Sequence, residues 1–103
     1  MSPPLVPLVD YDLHFVLCDF GKFGHAFVET APSQADRNTV ICRLIAGEYD
    51  RPLNVIACNL SEGWARDVSE PIARVIAKTD ATLTDGTRAF VEAHLVESAP
   101  AEK

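Results

Sequence analysis

Residues 53–60 constrain the fold of this chain more than any other segment. Read with a period of two, Leu53, Val55 and Ala57 share one face, and Ile56, Cys58 and Leu60 share the other. A strand that is apolar on both faces belongs in the middle of a sheet, paired on either side. The run ends where residues 59–70 bring together Asn59, Ser61, Glu62, Gly63, the single Trp64, Arg66, Asp67, Ser69 and Glu70. Polar groups at a strand-to-helix handover suit a site, because the scaffold fixes them while a loop exposes them.

The remaining elements follow from periodicity. Tyr11, Leu13, Phe15 and Leu17 alternate with Asp12, His14, Val16 and Cys18, so residues 11–20 read as a strand with one strongly apolar face and one mixed face. Gly21 and Gly24 supply a turn, and residues 25–30 return as a second strand. A helix starting near Phe20 is the alternative to this hairpin. Ser33 followed by Asp36 resembles a capping box for a helix over 34–46, with Val40, Ile41, Leu44 and Ile45 inward and Gly47 closing it. A second helix begins near Asp67 or Ser69, with Pro71 in its first turn and Val68, Ile72, Val75, Ile76 and Thr79 as its buried stripe. A third, capped by Thr84, runs from 85 to about 96 and buries Phe90, Val91 and Leu95.

The predicted order is β-β-α-β-α-α. The fold class is α+β, a two-layer sandwich in which a three-stranded sheet is packed by helices. Residues 1–10 read as a flexible Pro-rich lead-in, 11–96 as a single globular domain and 97–103 as a disordered tail. The chain has 103 residues, 48% of them hydrophobic and 23% charged, which is enough for one core without staples.

Charge and motifs remove several functions. A net charge of -6 gives no electrostatic reason to seek nucleic acid or an anionic membrane. No apolar run is long enough to cross a bilayer, and the N-terminus lacks the basic region of a secretory signal. Cys18, Cys42 and Cys58 are widely spaced, which suits reduced, mostly buried thiols in a cytoplasmic protein. Asp19-Phe20-Gly21 matches a kinase triplet without the other kinase parts, and residues 21–24 lack the spacing of a phosphate loop. His14, His25 and His94 form no close pair with each other or with a cysteine, so the reading includes no metal and no cofactor. Ordinary surface or rim positions are expected for the three histidines.

One segment is similar to a known family. Glu62-Gly63-Trp64-Ala65-Arg66-Asp67-Val68-Ser69-Glu70, with Ile72-Ala73, Asp19-Phe20-Gly21, Glu29-Thr30 and Thr39-Val40-Ile41, resembles a family of small uncharacterised alphaproteobacterial proteins. Cys18 and Pro71 depart from that pattern. The resemblance implies a cytoplasmic protein of unknown function and supplies no catalytic residue.

The functional expectation is a non-catalytic protein-interaction or regulatory module, whose partner is another protein or a second copy of the chain. Its expected binding residues are Asn59, Glu62, Trp64, Arg66 and Asp67, extended by the mixed face of the hairpin. A planar guanidinium beside an exposed Trp suits an anion or a peptide carboxylate. The alternative is a small-ligand (anion) binder or enzyme using loop 59–67, with Glu62 or Asp67 as base. The structural reading of the same residues is a packed Trp corner with capping carboxylates.

Overall fold

The structure, a computed structural model, describes residues 12–98. Its elements in chain order are β1 (Leu13–Asp19), β2 (His25–Phe27), α1 (Arg37–Ile45), β3 (Pro52–Asn59), β4 (Trp64–Asp67), α2 (Ser69–Ala77) and α3 (Asp85–Ser98). The class is α+β, as the patterns implied. The sheet, however, has four strands in the order β2-β1-β3-β4, every neighbouring pair antiparallel. The proposed lead-in and most of the proposed tail lie outside the described residues. Residues 97 and 98 are helical, so α3 runs further than the expected end near 96.

β3 occupies the central place its two apolar faces demand, between β1 and β4. Val16 and Val55 face each other across the β1–β3 ladder, and both are buried. They meet Val40 and Leu44 from α1, Ile72 and Ile76 from α2, and Phe90 from α3 in one core. Burying each of these large side chains stabilises the fold by about 1.5–3 kcal/mol. β2 and β3 flank β1 and run parallel to each other, because each is antiparallel to β1. The ladder slips between Leu17 and Cys18, where Cys18 pairs with Pro52 and leaves Leu53 as an extra residue.

The glycine turn of the first hairpin is a 3-10 turn over Gly21–Phe23, with positive φ at Gly21 and Gly24. The Asp19 side chain accepts a hydrogen bond from the Gly21 N–H, so the kinase-like triplet is turn chemistry here. β2 is shorter than expected, ending at Phe27.

α1 starts later than expected. Pro32–Gln34 form a 3-10 turn, and Asp36 is itself the N-cap, accepting from the Thr39 N–H at 3.0 Å. The Ser33 capping box is therefore not made; Asp36 takes the Ncap place because the pre-helical turn uses Ser33 first. In α3, the Thr84 hydroxyl accepts from the Thr87 N–H, which is the cap the sequence suggested.

Which face of β1 is buried reverses the simplest expectation. The mixed face, His14, Val16 and Cys18, lies under the helices. The more apolar residues Phe15 and Leu17 point the other way and stay half-exposed. His14 is tolerated in the interior because its Nδ1–H donates to the Ala35 carbonyl at 3.2 Å. His94 is half-buried, its Nε2–H donating to the Leu53 carbonyl at 2.6 Å, with its ring against Phe90. Only His25 is the exposed histidine expected of all three. Cys18 is buried, Cys58 half-buried and Cys42 exposed, so Cys42 is not the small core residue expected.

Gly47 follows α1 with φ +76, and a methyl group added there would collide with the Thr84 side chain. Gly47→Ala combines a left-handed backbone with overpacking at the α3 cap, and should cost about 2–4 kcal/mol. Urea unfolding of the variant measures this; an unchanged midpoint would mean the corner relaxes around the methyl.

Candidate functional site

Residues 59–67 are not a strand-to-helix loop. They are the end of β3, a turn, and the edge strand β4, which pairs Ile56 with Asp67 and Asn59 with Trp64. Sequence reading missed β4 because Trp64–Asp67 is short and carries Arg and Asp. The available signal was Gly63, whose φ of +74 makes the turn that lets the chain fold back on β3.

The five candidate residues surround this hairpin, and most of their polar atoms are occupied within it. Asn59 is buried; its Oδ1 accepts from the Glu62 N–H and its Nδ2 donates to Asp12. Glu62 accepts from the Trp64 indole N–H at 2.8 Å. The Arg66 guanidinium lies 4.2 Å from the Trp64 ring centre, with no carboxylate partner among the described residues. Trp64 is half-buried, between the plug and the exposed platform that the sequence left open.

Asp67 belongs to the start of α2. Its Oδ1 accepts from the Ser69 N–H, and its Oδ2 from Asn54. Neither Asp67 nor Ser69 is the N-cap residue, which is Val68. The Ser69 hydroxyl is instead committed to the sheet, accepting from the buried Val55 N–H at 2.8 Å. Pro71 takes the third helical position, where a missing N–H breaks no helical bond. Burial alone would raise the Asp67 carboxyl, but the Ser69 and Asn54 hydrogen bonds outweigh it and hold the group below the usual carboxylate range. That shift makes Asp67 a poor general base near neutrality.

A second region of interest is the sheet face away from the helices. Phe15, Phe27, Ile56, Cys58 and Ala65 border a shallow depression there with no polar atom in its lining. Phe27 is 53% exposed. These residues come from all four strands, so the face left uncovered by the described residues reaches every strand of the sheet. It is the apolar face of the first hairpin, not the mixed face expected to extend the site.

A third is a cleft of about 440 Å³ beside the β1–β2 hairpin and α1, lined by Cys18, Phe20, Phe27, Arg43, Tyr49 and Asp50 among others. Burial, helped by Asp50, pushes the Cys18 thiol up, which disfavours the thiolate that a nucleophile needs. Among the described residues no three His, Cys, Asp or Glu side chains converge to hold a metal ion. No helix among them is long and apolar enough to cross a membrane. The chain matches no protein-family model, no curated protein and no solved structure.

The Asp67 cap has a definite pH signature. Its folded pKa is lowered, so its stabilising contribution is complete above the unfolded value near about 3.9 and is lost as pH falls through the lower folded value. Asp67→Asn should therefore unfold more easily than the parent at neutral pH, by about 1 kcal/mol, and the two should converge in strong acid. Urea midpoints across that range check it; a gap independent of pH would assign the effect to shape and not to charge.

Proposed function

We propose that this protein is a non-catalytic interaction module that associates with a second copy of itself through the open face of its sheet. The observation that carries the reading is the chemistry of that face: Phe15, Phe27, Ile56, Cys58 and Ala65 are contiguous, partly or fully exposed, and uninterrupted by polar atoms. An exposed apolar patch of this kind is the ordinary mark of a protein contact. Four strands at about 4.8 Å spacing make a face roughly 19 Å wide, which suits two sheets stacking about 10 Å apart.

The choice of a second copy rests on charge. At a net charge of -6 two copies repel each other over most of their surface. The lining of this depression carries no carboxylate, so two identical depressions meet about a twofold axis without opposing like charges at the centre of the contact. Cytoplasmic, non-catalytic service as a partner-binding module fits the same chemistry.

Multi-angle light scattering tests the assembly: a dimer is expected. Ala65→Arg, at an exposed position on the face, should leave the fold intact by circular dichroism and shift the species to a monomer. A parent protein that stays monomeric at high concentration overturns the proposal.

A second reading is favoured by one observation. Arg66, stacked on Trp64 and lacking a counter-ion among the described residues, is arranged to receive a carboxylate. On this reading an acidic peptide quenches or shifts Trp64 fluorescence, and Arg66→Gln removes the response. A response that survives the substitution discards it.

A further inference from the structure

The cleft beside α1 carries a feature that the packing does not explain. Tyr49 is only 5% exposed, yet its hydroxyl makes no hydrogen bond of good geometry among the described residues. A buried hydroxyl left unpaired costs stability, and native interiors rarely tolerate one without a use for it. Burial pushes the Tyr49 phenol up, and Arg43, near enough to donate weakly to it and positively charged, opposes this. Arg43 is thus close to the hydroxyl, but it makes no hydrogen bond of proper geometry to it. Arg43 is itself loosely held, by a 3.6 Å pair with Glu48 near the surface. Arg43 and Tyr49 both line the cleft.

The rest of the cleft is acidic and aromatic. Glu29, Glu48 and Asp50 border it against the single cation Arg43, which Glu48 already pairs. Glu29 and Asp50 have no ion-pair partner among the described residues. Phe20 and Phe27 supply exposed ring surface on the hairpin side. Carboxylates without counter-ions, aromatic faces and an unpaired hydroxyl share one complementary ligand chemistry. An ammonium group donates to oxygen acceptors and is attracted to ring faces.

We propose that this cleft binds a small organic amine: a protonated primary ammonium held by Asp50, Glu29 and the Tyr49 hydroxyl, with an apolar or aromatic body against Phe20 and Phe27. Arg43 swings aside, keeping Glu48, as the ammonium reaches the hydroxyl. A volume of about 440 Å³ accommodates a ligand of that size and excludes a folded partner. The site lies at the β2 edge, and Asp50, Glu29 and Tyr49 are not among the residues of the proposed dimer face. Phe27, on the edge strand, borders both.

Phenethylamine is the probe and phenylacetate its charge-reversed control. Titration followed by amide and aromatic NMR shifts should move resonances of Val28, Tyr49 and Asp50 with the amine and leave them still with the acid. Asp50→Asn, an exposed position, should weaken amine binding about tenfold. Tyr49→Phe separates binding from folding: it should keep or raise Tm without ligand, because an unpaired hydroxyl is removed, and should weaken the amine. The monomerising variant Ala65→Arg should bind the amine as the parent does, so failure here and failure of the dimer are distinguishable. Equal response to amine and acid, no response to either, or amine binding unchanged in Tyr49→Phe and Asp50→Asn overturns the proposal.

Discussion

The β1–β3 ladder is the interaction on which the rest of the structure depends. It places Val16 opposite Val55 at the middle of the sheet, and the helices pack onto that pair. β3 also receives a second partner, β4, on its other side, so its backbone is paired along both edges. The antiparallel arrangement requires only short turns between β1 and β2 and between β3 and β4. The longer connection is spent on α1, which carries the chain across β1 and covers the buried face.

Polar residues join these layers at few but specific points. Ser69 gives up the capping role its position suggests and satisfies the Val55 N–H on the central strand. Asp67 then serves the α2 N-terminus from one residue further back, with Asn54 on its second oxygen. Thr87 does the same between α3 and α1, donating its hydroxyl to the Leu44 carbonyl at 2.7 Å. His14 and His94 each donate to a carbonyl of a neighbouring segment. The buried ones among these, made by Ser69, Thr87 and His14, each contribute about 1 kcal/mol, and leaving a partner unpaired would cost more. Tyr49 stands out against that pattern, since its hydroxyl makes no hydrogen bond of good geometry among the described residues.

All helices lie on one side because there is one core and they supply it. Three helices on one face of a four-stranded sheet leave the other face without cover among the described residues. The residues on that face, Phe15, Phe27 and Ile56, are not those of a solvated sheet surface, which alternates apolar inside with polar outside. The proposed association follows from this asymmetry: the strands are built for two-sided burial, and the chain's helices provide one side.

The two-period alternation of β1 and β3 was legible in the residues alone, as were the inner stripes of α1 and α3, the Gly47 stop and the Thr84 cap; the α2 stripe was legible except for Thr79, which lies exposed beyond the end of the helix. These are local: side-chain direction follows from backbone periodicity, and caps from a few neighbouring groups. The Trp64 segment was recognisable as a polar corner with capping chemistry, and Asn59, Glu62, Trp64, Arg66 and Asp67 do gather at one hairpin. That Trp64–Asp67 is a fourth strand was not legible, since a short edge strand with Arg and Asp draws its stability from the ladder to β3 and not from its own pattern. Nor did composition say which face of β1 the helices would choose. Alternation is symmetric between a strand's two faces; only docking of Val40, Ile72 and Phe90 onto Val16 and Cys18 broke that symmetry, leaving Phe15 and Leu17 on the open side. Sequence by itself determined every element but β4, and most of their inward stripes, through local geometry. Tertiary structure alone decided the uncovered face, the stacking of Arg66 on Trp64 and the cleft over Tyr49, because each depends on residues distant in the chain meeting across paired strands and packed helices.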